Sequence, residues 1–165
     1  MTILKIARMG HPVLLEKAAP VTDIAAVQGL IRDMRDTLVD SGGIGLAAPQ
    51  VHESQRVILV SVPDHRREGD EPAMQITALI NPELEPIGEE KVTGWEGCLS
   101  IPGLRGAVPR WSAAPECCVA RSSQTATAPF VQWKRHWMLM SLTRLERKSS
   151  REWLSSFSRP SISDR

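Results

Sequence analysis

Cysteine is scarce and poorly placed for cross-linking. The 165 residues hold three, and Cys117 and Cys118 are adjacent, so no disulfide framework is written here. No run of 18 apolar residues occurs, which excludes a membrane-spanning helix. Lys5 and Arg8 interrupt the apolar stretch nearest the start, so no secretory leader is expected. An excess of one charge is missing as well. Lys and Arg number 20 against 19 Asp and Glu, which argues against nucleic acid or another polyanionic partner. Together these absences describe a cytoplasmic protein in a reducing compartment. A chain of this length makes one domain and buries about 70% of its unfolded surface, so it folds without disulfide or metal.

Glycine is the most telling absence. All 11 lie at or before Gly106, and the final 59 residues have none. Through Arg110 the chain carries 11 basic and 15 acidic residues; from Trp111 onward it carries 9 and 4. Four of five Trp and both Phe follow Arg110, and Ser becomes dense from Ser122. A loop-rich segment without glycine lacks its usual means of reaching positive φ. The chain therefore divides into residues 1–110 and a divergent tail, 111–165, expected to be poorly packed or disordered.

Within the first part, residues 3–8 read as an extended arm, with a turn at Met9–Pro12. A helix is expected over 23–41. Thr22 or Asp23 caps it, Ile24, Val27, Ile31, Met34 and Leu38 repeat at helical spacing, and Ser41-Gly42-Gly43 ends it. Strands are expected over 56–62, 76–80, 91–94 and 99–101, and a charged loop over 64–72. In the tail, residues 131–147 could form a helix with Trp137, Met138, Leu142 and Leu145 near one face. One helix near the start followed by short strands indicates an α+β fold.

Two motifs carry chemistry. Gly43-Ile-Gly-Leu-Ala-Ala-Pro-Gln50 follows the helix. Its glycines allow backbone to approach a ligand, and Gln50 offers a neutral amide donor. Taken alone it is also an ordinary loop between helix and strand. Trp95-Glu-Gly-Cys-Leu-Ser-Ile-Pro-Gly103 holds Cys98, which could be a metal-ligating thiolate, a nucleophile or a small buried hydrophobe.

In this order and spacing the two motifs closely resemble the peptide deformylase family, hydrolases that remove the formyl group from new bacterial N-termini. The flanks Ile3-Leu-Lys-Ile-Ala-Arg-Met-Gly-His-Pro-Val-Leu14 and Ile101-Pro-Gly-Leu-Arg-Gly-Ala-Val-Pro-Arg110 resemble the same family. The resemblance covers residues 1–110. It implies short, mostly antiparallel strands around a helix, and a monomer acting in translation on a nascent formyl-methionyl peptide. It makes Cys98 a ligand of a catalytic divalent metal, iron or its substitutes zinc, nickel and cobalt. Gln50 and the Leu99 N–H become oxyanion donors, Ile44, Gly45 and Gly97 hold the substrate backbone, and Arg105 lies near its downstream end.

The family's third motif, His-Glu-x-x-His on a helix, supplies two metal ligands and a general base. It is absent. His11, His65 and His136 are not followed by Glu, and His52-Glu53-Ser-Gln-Arg56 ends in Arg and reads as a surface turn. Cys98, Cys117, Cys118 and His136 make a nominal Cys₃His set without the paired spacings of a zinc site. The resemblance therefore implies a family member defective in metal binding and turnover. The alternative is a non-catalytic binder of formyl-Met peptide, or of the ribosome through its basic tail. A single change of reading frame near codon 110 accounts for the lost motif and the altered composition together. It predicts that an alternative frame downstream of that codon encodes His-Glu-x-x-His. Reading the nucleotide stretch checks this, and neither frame doing so disposes of the explanation.

Overall fold

The computed structural model describes residues 1–64, 73–86, 91–111, 118–122 and 131–132. Among them is one α-helix, α1 (Gln28–Asp40), which buries Ile31, Met34, Thr37 and Leu38 along one face. The expected apolar positions are the ones that pack, but the helix begins later than their spacing predicts. The Asp23 carboxylate accepts the Ala25 N–H at 2.8 Å. It thereby closes a local turn, a known competitor of helix for Asp, and no side chain caps α1 at Val27. The end is as expected, with Gly42 at φ +61° just beyond Ser41.

The helix lies on a three-stranded antiparallel sheet formed by β1 (Gly45–Ala47), β2 (Val57–Val62) and β3 (Met74–Ile80), in that spatial order. Residues 57–61 of β2 are all buried, so this central strand is a continuous apolar run and not an alternating one. Val57 and Leu59 join Met34, Leu38, Leu46 and Ile80 in the core. Buried Asn81 follows β3 at φ +48°. Its side chain accepts from the Val21 N–H and donates to the Val21 carbonyl, both at 2.8 Å, so both ends of the amide are satisfied.

A second sheet holds β4 (Pro82–Pro86), β7 (Cys118–Ser122) and β8 (Val131–Gln132), with β7 central. Pro82 and Pro86 are the ends of β4, where a missing N–H is tolerated. The third is a hairpin of β5 (Lys91–Cys98) and β6 (Ile101–Trp111). The strand expected over 91–94 runs on to Cys98. That expected over 99–101 is instead the hairpin turn at Leu99–Ser100, with Ile101 opening β6. The start of the helix expected over 131–147 is β8; its remainder lies outside the described residues, as do 65–72 of the charged loop and most of the tail. All eight strands among the described residues pair antiparallel, and the α+β architecture stands. No helix among the described residues is long and apolar enough to cross a membrane.

Leu59 is 0% exposed at the centre of the core. Leu59→Ala is expected to destabilise the protein by about 2–5 kcal/mol through lost burial and a residual cavity, measured as a lower urea midpoint.

Candidate functional site

The segment leaving α1 begins the site. A Cβ on Gly43 would stand 3.1 Å from both Leu38 Cδ1 and Leu99 Cδ1, so glycine here lets the first motif pack directly against the second. The Ile44 carbonyl accepts the Ser61 N–H at 2.8 Å, tying the motif to β2. In antiparallel pairing the backbone groups of successive residues point to opposite sides. Those of Gly45 therefore point away from β2, toward the hairpin. A short 3-10 helix (Ala48–Val51) then turns Gln50 inward.

Gln50 is 7% exposed and joins the two motifs. Its Oε1 accepts the Ala47 N–H at 2.9 Å. Its Nε2 faces Cys98 Sγ at 3.5 Å and donates to Ser100 Oγ at 3.2 Å. A backbone N–H can only donate, so the oxygen must face Ala47 and the NH2 must face the hairpin. Cys98 is half-buried.

The N-terminal arm clasps this assembly. The Thr2 N–H donates to Asp36 Oδ2 and the Leu4 N–H to Thr37 Oγ1, each at 2.9 Å, which holds the arm on α1. Farther along, the Ala7 N–H reaches the Gln50 carbonyl at 2.7 Å and the Met9 N–H the Ser100 carbonyl at 2.9 Å. Between them, the Arg8 guanidinium donates to the Leu99 carbonyl at 3.3 Å.

These segments enclose a cavity of about 760 Å³. The residues that the resemblance assigns to the site all line it: Ile44, Gly45, Gln50, Gly97, Cys98, Leu99 and Arg105. Three contributors were not foreseen. Ser100 lies inside the second motif, but its hydroxyl's partner is 50 residues away; Arg8 acts on a backbone carbonyl, which leaves no pattern in the sequence; Trp95 reads as the start of a motif and not as part of a wall. His52 is exposed and closes the 3-10 helix at φ +68°. Its ring meets His11 edge-on, with centroids 4.6 Å apart. The surface-turn reading of His52-Glu53 therefore fits the geometry.

A catalytic divalent metal takes three protein ligands and leaves a position open. Cys98 supplies a soft sulfur donor, but among the described residues no group of three or more His, Cys, Asp or Glu could hold an ion. Cys117, His136 and the Cys118 side chain fall outside the described residues. The described lining of the cleft thus supplies one soft donor, Cys98, where such a centre takes three.

The geometry agrees with comparison to known proteins. A family model described as polypeptide deformylase matches residues 3–125. Peptide deformylase 1 of Bordetella pertussis is 45% identical over 108 residues, 64% of this chain and 61% of that protein. Peptide deformylase 2 of a Nostoc species is 44% identical over 113 residues, 67% and 63% respectively. The chain thus spans about three-fifths of the length of these curated relatives. A crystal structure of class I type b peptide deformylase from Acinetobacter baumannii superposes with a TM-score of 0.67 at 29% identity, covering 88% of this chain and 95% of that one. Peptide deformylase from Ehrlichia chaffeensis in complex with actinonin gives 0.64 at 31% identity, covering 74% and 69%.

Gln50→Ala is expected to destabilise the protein by about 1–3 kcal/mol, because the buried Ala47 N–H loses its acceptor. Urea denaturation checks this, and an unchanged midpoint would show that the bond contributes little.

Proposed function

The chain belongs to the polypeptide deformylase family, and we propose that it keeps a pocket for formyl-methionyl peptides while lacking the groups that turn them over. The family is a metalloenzyme family acting on formylated nascent peptides. The observation that carries the reading is the Gln50 amide, held by Ala47 so that its NH2 faces the half-buried Cys98 in the cleft. A donor fixed in this way needs no reorganisation when an oxygen arrives, which is the condition for effective oxyanion stabilisation. In this reading the formyl oxygen sits between Gln50 Nε2 and the Leu99 N–H. The peptide then runs as an added strand along the edge of β1, using the outward N–H and carbonyl of Gly45. Ile44 and Gly97 flank its backbone, and Arg105 its downstream end.

Hydrolysis also needs an activated water and a group to take its proton. The 165 residues contain no His-Glu-x-x-His, so two metal ligands and the base are missing together. Losses that act on one transition state are not recovered singly, and restoring one His does not rescue turnover. A second reading, a non-catalytic binder that meets the ribosome, is favoured by the 9 basic against 4 acidic residues after Arg110. We assign the protein to the cytoplasm, as a monomer, on its composition and family.

Formate release from a formyl-Met peptide, with ferrous iron or nickel supplied, tests the reading. The native chain is expected to bind the peptide without releasing formate. Replacing everything after Arg110 with a deformylase C-terminus is expected to restore turnover. Chelator-sensitive release by the native chain would reveal a ligand set involving His136 or Cys118. A folded but inactive chimaera would show that residues 1–110 have themselves lost the family's function.

A further inference from the structure

Leu99 and Ser100 form the two-residue turn of the β5–β6 hairpin, which the pair Cys98 and Ile101 closes. Turns of this length ordinarily place one or both residues at positive φ, because those types match the twist of the flanking strands. This one does not. Among the described residues the non-glycine positions at positive φ are His52 and Asn81, so Leu99 and Ser100 both stand at negative φ. A turn of that kind splays its strands, and here its support comes from outside the hairpin. The Arg8 guanidinium donates to the Leu99 carbonyl at 3.3 Å and the Met9 N–H to the Ser100 carbonyl at 2.9 Å. Adjacent residues of the arm thus hold both carbonyls of the turn. The Leu99 carbonyl belongs to its central peptide, the unit that swings when a turn changes type.

Both donors of the pocket depend on this turn. The Leu99 N–H lies within it. The Ser100 hydroxyl takes one hydrogen of the Gln50 NH2 at 3.2 Å, which leaves the other directed at Cys98. A change of turn type rotates Ser100 about φ and carries its hydroxyl away from Gln50. We propose that Arg8 is a positioning residue for formyl recognition. By pinning the Leu99 carbonyl it keeps the turn in the form in which Leu99 and Gln50 donate to one oxygen. The inference rests on the pocket reading above and adds to it the residue that preorganises the donors. A guanidinium suits the task, since it is always charged and a charge-assisted bond to a carbonyl is stronger than a neutral one. Arg8 is exposed, so removing its charge empties no part of the core.

Calorimetric titration of the full chain tests this with formyl-Met-Ala amide and with the analogue that lacks the formylamino group. Both ligands are uncharged, so loss of the Arg8 cation bears on them equally. The full chain is expected to prefer the formyl ligand by about tenfold. Arg8→Met keeps the stem and removes the donor, and the preference is expected to fall within about twofold. Arg8→Lys restores a charged donor and is expected to recover at least about fivefold. Lys5→Met removes another exposed cation from the same arm and is expected to leave the preference as it is in the native chain. A cooperative urea transition shows that each variant is folded. A preference that survives Arg8→Met, that Arg8→Lys does not recover, or that Lys5→Met also removes, overturns the positioning role and leaves the pocket reading standing. Failure of formyl-Met-Ala amide to bind the full chain, or equal binding of the two ligands, overturns the pocket reading and the role of Arg8 with it.

Discussion

Gln50 turns its amide oxygen to the Ala47 N–H, and through that bond the two halves of the cleft acquire a fixed relation. The NH2 is left facing Cys98 and Ser100, so one buried side chain orients the first motif and reaches the second. The bond joins the last residue of β1 to the short 3-10 helix that follows it, three positions on, which makes the orientation a local property that holds before any ligand arrives. What remains is to bring the hairpin turn to the right distance. The absence of a side chain on Gly43 does this, letting Leu99 pack 3.1 Å from where a Cβ would stand.

The arm of residues 2–9 acts on the same relation from outside. Its backbone bonds the Gln50 carbonyl on one side of the cleft and the Ser100 carbonyl on the other. Near its start it is anchored to α1 through Asp36 and Thr37. Thr37 is buried and its hydroxyl also donates to the Asp33 carbonyl, so a polar group inside the helix face is fully used. Helix, sheet and hairpin are thus held together by hydrogen bonds at the places where their apolar faces end.

Much of this was legible in the sequence, and the failures have particular causes. The apolar repeat from Ile31 to Leu38 located the buried face of α1 because only that register covers the sheet. The helix start was misplaced because Asp23 bonds Ala25 within a turn, an outcome that composition alone does not separate from capping. Leu99 and Ile101 look like neighbours in a strand. Their apolar character instead serves two different contacts, Leu99 against Gly43 and Ile101 in β6. The cleft residues were recognisable because the two motifs, in their order and spacing, resemble those of the deformylase family; taken alone, each also read as an ordinary loop or a small buried cysteine. Arg8 and Trp95 were not, since one acts on a main-chain carbonyl and the other joins the cleft wall as an exposed residue. Neither condition leaves a periodicity to read.

The contact from Arg8 to Leu99 spans 91 positions, and this has a consequence for how the molecule assembles. Closing so long a loop costs entropy that grows only with the logarithm of its length, but neither end gains anything until the other is present. During synthesis the arm therefore waits for its partner while α1 and the first sheet, whose contacts are nearer in sequence, come together ahead of it. Among the described residues, the lining of the cleft begins at Ile6 and ends at Arg105. By the time the ribosome passes Arg110, every described piece of that lining has been made. A change in the message beyond that codon reaches the chain too late to alter them, so an altered ending is compatible with an inherited pocket.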